Sequence, residues 1–183
     1  MKSIFKTGIV LFLICAVCAS LCAWVNSFTA PVIKENMEKA NRLALEKVSQ
    51  GLTIGETKAV ENNATVKEIT ALSKDGSVVG YVLLLSGKGY GGDLSIIASY
   101  DKKGALLKAQ MTQDSETAGL GKNAESEWYM DLFSGMGDTI AFPSGKNDLG
   151  EKEKALVTGA SFTFRAVSET LRNGSNYVKE MGL

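Results

Sequence analysis

The segment Ser77-Val78-Val79-Gly80-Tyr81-Val82-Leu83-Leu84-Leu85 decides the fold of this chain of 183 residues. It is rich in β-branched and other apolar side chains, and it lies between two turn signals, Asp75-Gly76 before it and the glycine-rich segment 87–92 after it. Three segments of the same kind surround it, over residues 64–72, 93–100 and 105–112. Short connections of the Asp-Gly and Lys-Lys-Gly kind join neighbouring segments. The pattern therefore predicts an antiparallel meander of four strands.

The N-terminal region predicts a membrane anchor. No charged residue occurs over residues 7–33, and residues 8–25 are dense in Ile, Leu, Val, Phe, Ala and Cys. At about 1.5 Å per residue, a helix of this length crosses a hydrocarbon core of about 30 Å. Because Lys2 and Lys6 precede it, the positive-inside rule predicts a cytoplasmic N-terminus, a single pass through the inner membrane and an extracytoplasmic C-terminal domain.

A cleaved signal peptide is the competing interpretation of this region, because Cys18-Ala19-Ser20 resembles a cleavage site. The apolar character, however, continues through Leu21 to Val25, and Trp24 is typical of a membrane-water interface. These residues favour an anchor that is retained.

The segment after the anchor predicts a second helix. Residues 26–31 indicate an exit from the membrane, and Thr29 and Pro31 are typical helix-starting residues. From Val32 to Val48 apolar and charged residues interleave as in an amphipathic helix, either a stalk or a helix packed on the domain. We therefore expect an anchor over residues 1–33, a linker helix over 34–50 and an α+β domain over 51–183, in which flanking helices accompany the sheet.

Composition excludes several classes of function. The chain has 20 basic and 20 acidic residues, so no charge excess indicates nucleic acid, and it has no histidine for a hydrolytic triad or a His-ligated metal. The three cysteines, Cys15, Cys18 and Cys22, all lie in the apolar run, where they are expected to be small packing residues and not metal ligands. We therefore predict no catalytic residues and no metal site.

The hydroxyl-rich motif Thr158-Gly159-Ala160-Ser161-Phe162-Thr163 precedes a helical pattern over residues 164–172, for which Asn173-Gly174 is an ending signal. A helix N-terminus favours a phosphate oxygen, but Ser and Thr are also ordinary N-cap residues. Local chemistry thus leaves both interpretations open, and it does not choose among the three hydroxyls.

Two glycine-rich segments precede this motif. Residues 89–92 lack the features of a nucleotide-binding loop and predict a bulge or turn where backbones come close. Residues 115–121 predict a loop whose backbone can approach a flat ligand. Trp128 and Phe133 are predicted core anchors, and the mixed charges over residues 146–154 predict a solvated segment.

Together these features resemble the FMN-binding G subunit of the Rnf electron-transport complex, whose domain is related to that of the C subunit of the sodium-translocating NADH:quinone reductase. The resemblance is carried by the N-terminal membrane helix and by the segments Asn26 to Pro31, Gly89-Tyr90-Gly91-Gly92, Glu116-Thr117-Ala118-Gly119-Leu120-Gly121 and Thr158 to Val167. The chain differs from the usual family pattern at Ala118, Ala155, Ser161 and Phe164.

The resemblance implies FMN bound covalently through a phosphoester to Thr163, installed by a flavin transferase that uses FAD. It also implies electron transfer linked to ferredoxin, NAD and ion translocation, with other membrane subunits as partners. The implied cofactor contacts are the motif residues Thr158, Gly159, Ala160 and Ser161 and the loop residues Glu116, Thr117, Gly119 and Leu120. A stand-alone tethered FMN electron-transfer protein and a flavin-free anchored binding module are the alternatives that remain.

Overall fold

The computed structural model describes residues 2–181, and the side chains of residues 4–181. The chain divides into two compact units, Met1–Lys39 and Ala40–Leu183. The described residues form helices and one antiparallel sheet, so the predicted α+β class is confirmed.

A long N-terminal helix, α1, spans Lys2–Val48. By length and composition it is able to cross a membrane, in agreement with the predicted anchor. The predicted start of a second helix at Thr29 or Pro31 is wrong, because α1 continues through Pro31. The Thr29 hydroxyl donates to the carbonyl of Val25, 3.2 Å away and one turn earlier, instead of capping a new helix.

Five strands form the sheet in the order β1-β2-β3-β4-β5, each antiparallel to the next. Their bounds are β1 Thr53–Ala59, β2 Val66–Lys74, β3 Ser77–Lys88, β4 Asp93–Asp101 and β5 Leu106–Gln113. The four predicted strands are confirmed as β2 to β5. The edge strand β1 was not predicted, because every one of its residues is exposed and it therefore has no buried apolar face.

The predicted turns are also confirmed. Asp75 and Gly76 join β2 to β3 with φ angles of 51° and 79°, as a two-residue hairpin of the right twist requires. In the connection from β4 to β5, the Asp101 carboxylate accepts a hydrogen bond from the Lys103 N–H at 2.8 Å, and Gly104 adopts a φ of 82°. Both turns are therefore set by local chemistry.

The last helix, α4, spans Ser161–Glu180 and packs on one face of the sheet. Its residues Phe164, Val167 and Leu171 are completely buried in the main core. On the other face, Ala44 and Val48 near the end of α1 pack in a smaller apolar cluster with β-strand residues. The sequence left two possibilities for residues 34–50, a stalk or a helix packed on the domain. The end of this segment, at Ala44 and Val48, is packed on the domain.

The predicted end of the last helix at Asn173-Gly174 is wrong, because Gly174 lies inside α4. A Cβ atom at Gly174 would lie 2.7 Å from the Tyr100 hydroxyl oxygen and 2.9 Å from a Leu85 methyl carbon. The Tyr100 hydroxyl donates to the carbonyl of Leu171 at 2.9 Å. The glycine is therefore explained by close packing of α4 on the sheet and not by a helix end.

Short helical segments connect β5 to α4. They are a 3-10 helix at Gly121–Glu125, α2 at Glu127–Asp131, a 3-10 helix at Lys146–Asp148 and α3 at Glu151–Leu156. Phe133 is fully buried, as predicted, whereas Trp128 is 41% exposed and is not a core anchor. The charged segment 146–154 is exposed or half-buried, as predicted.

Candidate functional site

The centre of the candidate site is a contact between Thr163 in the first turn of α4 and Glu116 in the loop after β5. The Thr163 hydroxyl donates to Glu116 Oε2 at 2.8 Å. Both residues are buried, with 2% and 7% of their surface exposed. A buried hydroxyl beside a buried carboxyl is a polar pair that must be held by specific contacts, since burial without partners is unfavourable.

The same carboxyl group holds the turn between β3 and β4. Glu116 Oε1 accepts a hydrogen bond from the Gly91 N–H at 3.3 Å. A Cβ atom at Gly89 would overlap this oxygen, and one at Gly91 would overlap the Ser115 carbonyl. The glycines thus allow the close backbone approach that the sequence predicted, and Glu116 joins three segments that are distant in the sequence.

Around this pair lies a cavity of about 530 Å³. Its size falls in the range of small-molecule sites, which is about 300 to 1,000 Å³. Its lining residues are Tyr90, Glu116, Thr117, Leu120, Gly121, Lys146, Gly159, Ala160, Ser161, Phe162 and Thr163. A concave site with apolar, polar and charged groups is therefore open to a ligand.

The glycines of the cavity wall keep it from being filled by protein. A Cβ atom at Gly121 would overlap Glu116 Oε2 and lie 2.8 Å from Thr163 Oγ1. Gly159 has a φ of 92°, and a Cβ atom there would lie 2.9 Å from a Leu120 methyl carbon. Both positions require glycine, because a larger residue would press against the residues that face the cavity.

The N-terminus of α4 opens onto this cavity. The residue before the helix is Ala160, and no side chain caps the helix there. The first hydrogen bond of the helix runs from the Phe164 N–H to the Ala160 carbonyl at 2.9 Å, so the preceding N–H groups have no partner within the helix. Unpaired N–H groups and the helix dipole favour a negatively charged group at this position.

The structure separates the three hydroxyls that the sequence left equivalent. Thr158 is exposed, does not line the cavity and donates to the Lys154 carbonyl at 2.7 Å. Ser161 is half-buried and lines the cavity, while Thr163 is buried and lines it. Of the three hydroxyls, Thr163 is thus the one that is buried, lines the cavity and donates to an ionisable side chain, that of Glu116.

Most of the predicted contact residues come together at the cavity. Gly159, Ala160, Thr117 and Leu120 line it, as do Glu116, Ser161 and Thr163 described above. Gly119 does not line it, and its φ of 77° instead indicates a turn in the loop.

Gly121, in the loop predicted to approach a flat ligand, lines the cavity, whereas sequence reasoning missed three residues of the cavity wall, namely Tyr90, Lys146 and Phe162. Tyr90 and Phe162 lie inside the segments 89–92 and 158–163, whose predictions rested on glycines and hydroxyls. A large aromatic residue between glycines was the signal for Tyr90. Nothing local distinguished Lys146 from the other lysines of its charged segment.

A buried carboxyl group supports the loop that carries Glu116. Asp114 Oδ1 accepts a hydrogen bond from the Glu116 N–H at 2.8 Å, and burial raises the pKa of Asp114. Lys122 bonds to Glu125 at 2.6 Å and lowers the pKa of that carboxyl, and Lys122 is 3.9 Å from Asp114. The start of the loop is therefore held by charge-assisted contacts.

A cluster of buried aromatic rings lies near Thr163 and Glu116 but does not line the cavity. Tyr129 and Phe133 each pack against Phe164, with ring centroids 6.2 Å and 5.2 Å apart respectively. Burial, and next the charge of Glu116, raises the pKa of the Tyr129 hydroxyl. This aromatic cluster is thus uncharged at neutral pH. Among residues 4–181, no group of three His, Cys, Asp or Glu side chains is arranged to hold a metal ion.

This domain belongs to a known class of cofactor-binding domains. The family described as the FMN-binding domain matches residues 89–176, which include the Gly89 turn, the loop at 115–121 and most of α4. The family described as the RnfG N-terminal region matches residues 1–48, the length of α1. Together the two matches cover more than half of the chain. They favour a flavin-binding domain over the flavin-free binding module.

Three curated relatives extend the similarity along the chain. The G subunit of the Na(+)-translocating ferredoxin:NAD(+) oxidoreductase complex of Acetobacterium woodii is 29% identical over 91% of this chain and 87% of its own. The G subunit of the Shewanella piezotolerans ion-translocating oxidoreductase complex is 25% identical over 98% and 91%. The G subunit of the Clostridium ljungdahlii proton-translocating ferredoxin:NAD(+) oxidoreductase complex is 22% identical over 97% and 92%. The chain therefore belongs to the family of Rnf complex G subunits, as the sequence resemblance predicted.

Proposed function

We propose that a flavin transferase attaches FMN to this protein through a phosphoester with the Thr163 hydroxyl. The new P–O bond to Thr163 replaces the pyrophosphate bond of FAD, so that AMP leaves and the hydroxyl loses its proton. The observation that carries the proposal is the position of this hydroxyl, which lies buried on the wall of a ligand-sized cavity, at an uncapped helix N-terminus and beside Glu116. Thr158 does not meet these conditions because it lies outside the cavity.

The residues present fit a flavin phosphate. The N–H groups at the start of α4 would hold phosphate oxygens, and Gly159 and Ala160 allow the backbone to approach them. Thr117 and Leu120 offer a polar and an apolar contact in the same cavity, where Leu120 lies next to Gly159. The bound flavin supplies the electron-transfer chemistry, while the protein supplies attachment, orientation and electrostatics.

Attachment changes the contacts of Glu116. Once Thr163 Oγ1 is esterified it carries no proton, so it no longer donates the hydrogen bond that Glu116 Oε2 accepts in this structure. The Gly91 N–H remains as a donor to the other oxygen of the carboxyl group. Because Thr163 is only 2% exposed, we expect the loop over residues 115–121 to move before a flavin transferase reaches the hydroxyl.

We propose that the loaded domain carries electrons as a membrane-anchored subunit of an Rnf-type complex. The α1 helix, the FMN-binding domain and the names of the relatives support this proposal. In it, residues 1–33 anchor the protein with a cytoplasmic N-terminus in the inner membrane, 34–50 link the anchor to the domain, and 51–183 form an extracytoplasmic domain. The other subunits would then link the flavin to ferredoxin, NAD and an ion, which are the components in the names of the relatives' complexes.

Coexpression with a flavin transferase tests the attachment site. The full chain should fluoresce on a denaturing gel and gain the mass of FMN phosphoryl on its Thr163 peptide, and Thr163→Val should lose both signals. Thr158→Val is the matched control, because it removes a neighbouring hydroxyl outside the cavity, and it should keep them. A fluorescent Thr163→Val band would assign the flavin to another residue.

Copurification tests the place of the protein in a complex. A tagged full chain solubilised from native membranes should bring down several membrane subunits, including in the Thr163→Val form if assembly does not need the flavin. Isolation of the loaded protein without partners would favour the stand-alone tethered flavoprotein.

A further inference from the structure

Two exposed aromatic rings meet at the edge of the cavity. Tyr90 is 76% exposed and Phe162 is 56% exposed, yet their ring centroids lie 6.2 Å apart with an interplanar angle of 73°. Both residues line the cavity. The aromatic cluster of Tyr129, Phe133 and Phe164 is by contrast completely buried. The exposed pair therefore leaves large apolar faces open to water beside a ligand-sized space.

The backbone on either side of Tyr90 is tightly held. The Gly89 N–H donates to the Gly92 carbonyl at 2.8 Å, and the Gly91 N–H donates to Glu116. Neither Gly89 nor Gly91 has room for a side chain. Tyr90 is thus the residue with a large side chain in a rigid turn, and this turn is joined through Glu116 to the proposed attachment residue.

Phe162 is directed away from the core by its place in α4. It lies next to Thr163 in the first turn of the helix, and Thr163 and Phe164 are both buried while Phe162 is not. Burial of a phenylalanine side chain is favourable, so the exposed part of this ring leaves a favourable contribution unrealised in the domain alone. Phe162 and Thr163 line the same cavity, so a ligand attached to Thr163 lies within reach of this ring.

We propose, on the basis of the attachment at Thr163 proposed above, that Tyr90 and Phe162 form the platform against which the isoalloxazine ring of FMN packs. Because the planes of the two rings are 73° apart, a flat ring system stacks on the face of one ring and meets the edge of the other, and such contacts are favourable beyond the area they bury. The phosphoester holds the tail of the flavin, and the platform holds its ring. Glu116 holds the Tyr90 turn through the Gly91 N–H, and before attachment it also binds the Thr163 hydroxyl, so the turn and the attachment residue lie side by side.

Fluorescence of the attached flavin tests the Tyr90 contact. A phenol ring in contact with an excited flavin quenches it by donating an electron, whereas a phenyl ring does not. In the full-length loaded protein, Tyr90→Phe should lengthen the flavin fluorescence lifetime several-fold while keeping the packing surface. Tyr177→Phe is the matched control, because Tyr177 is a half-buried tyrosine outside the cavity, and it should leave the lifetime unchanged. Equal lifetimes in the wild type and Tyr90→Phe would overturn the contact.

A second measurement does not depend on quenching. In the double variant Tyr90→Ala with Phe162→Ala, the attached ring should gain a fast component of anisotropy decay on the picosecond to nanosecond timescale, because it moves on its tether. The control combines Trp128→Ala with Leu156→Ala, which removes two exposed apolar side chains outside the cavity. A ring that stays immobile in the Tyr90 and Phe162 double variant would exclude the platform.

The two proposals fail in different ways. If the full chain coexpressed with a flavin transferase carries no flavin on a denaturing gel, or if Thr163→Val still carries it, attachment at Thr163 is wrong. If flavin is attached but neither its lifetime nor its mobility responds to the aromatic residues, attachment stands and the platform is wrong. In that case the exposed rings serve a contact other than the flavin.

Discussion

The first turn of α4 and the rest of that helix use buried hydroxyls in different ways. Ser168, Thr170 and Ser175 are buried and donate to the backbone carbonyls of Pro143, Ala166 and Gly104. Thr163 is equally buried but donates to the side chain of Glu116, at the wall of a cavity. A hydroxyl that donates to a backbone carbonyl is bonded to an acceptor that the fold holds in place. A hydroxyl that donates to a side chain is able to lose this acceptor when the side chain rotates.

Glycines show the same division along the helix. Gly174 in the body of α4 has no side chain because Tyr100 and Leu85 occupy the space. Gly121, which faces the first turn, is next to Glu116 and Thr163 and borders the cavity. The body of the helix is thus packed closely against the sheet, and its first turn is kept open for a ligand.

The largest expected effect tests the packed half of this comparison. Gly174→Ala forces a methyl group against Tyr100 and Leu85 and should lower the free energy of unfolding by about 1 to 3 kcal/mol. Thermal unfolding in detergent should show this as a lower midpoint, while flavin attachment at permissive temperature persists. Gly145→Ala is the control, because no atom lies within 4 Å of a Cβ there, and its effect should stay within about 0.5 kcal/mol. An unfolding midpoint for Gly174→Ala equal to that of the wild type would contradict the packing argument.

An intermediate effect separates the two kinds of hydroxyl. Ser175→Ala leaves the buried Gly104 carbonyl without its donor and should lower the free energy of unfolding by about 1 to 2 kcal/mol, with the flavin retained. Thr163→Val should lose the flavin completely. Paired measurements of unfolding midpoint and in-gel fluorescence show both results. The comparison fails if Ser175→Ala prevents attachment in protein that is still folded.

The smallest effect concerns the charge that supports the loop. Since burial raises the pKa of Asp114 in the folded state above its unfolded value, the stability that this carboxyl contributes is present at low pH and is lost as pH rises through the folded pKa. Asp114→Asn retains the acceptor for the Glu116 N–H and does not ionise. We expect its unfolding midpoint to exceed that of the wild type at about pH 7 and to match it below about pH 4.

The exposed Asp138 supplies the control for this last prediction. Asp138→Asn should show no comparable difference between the two pH values. A wild type that is more stable than Asp114→Asn at neutral pH would show that the attraction of Lys122, 3.9 Å away, outweighs burial of the carboxyl group.

Features with a local cause were predicted from the sequence. The strands β2 to β5, the Asp75-Gly76 turn and the apolar N-terminal helix follow from periodicity, turn chemistry and length. Strand β1 was missed because it is held by pairing with β2, including a bond of 2.7 Å between the hydroxyls of Thr57 and Thr70. The continuation of α4 through Gly174 was missed because its cause is contact with a distant strand.

By itself, the sequence determined the antiparallel sheet, the apolar anchor and a hydroxyl motif before a helix, because each of these follows from residues that are neighbours in the chain. Its composition also excluded histidine chemistry. It also carried the resemblance that pointed to Thr163. Only the tertiary structure decided which hydroxyl faces Glu116, and that Tyr90, Lys146 and Phe162 border the same cavity. The physical reason is that the fold brings these residues together from segments far apart in the chain, and no local pattern encodes a contact of that kind.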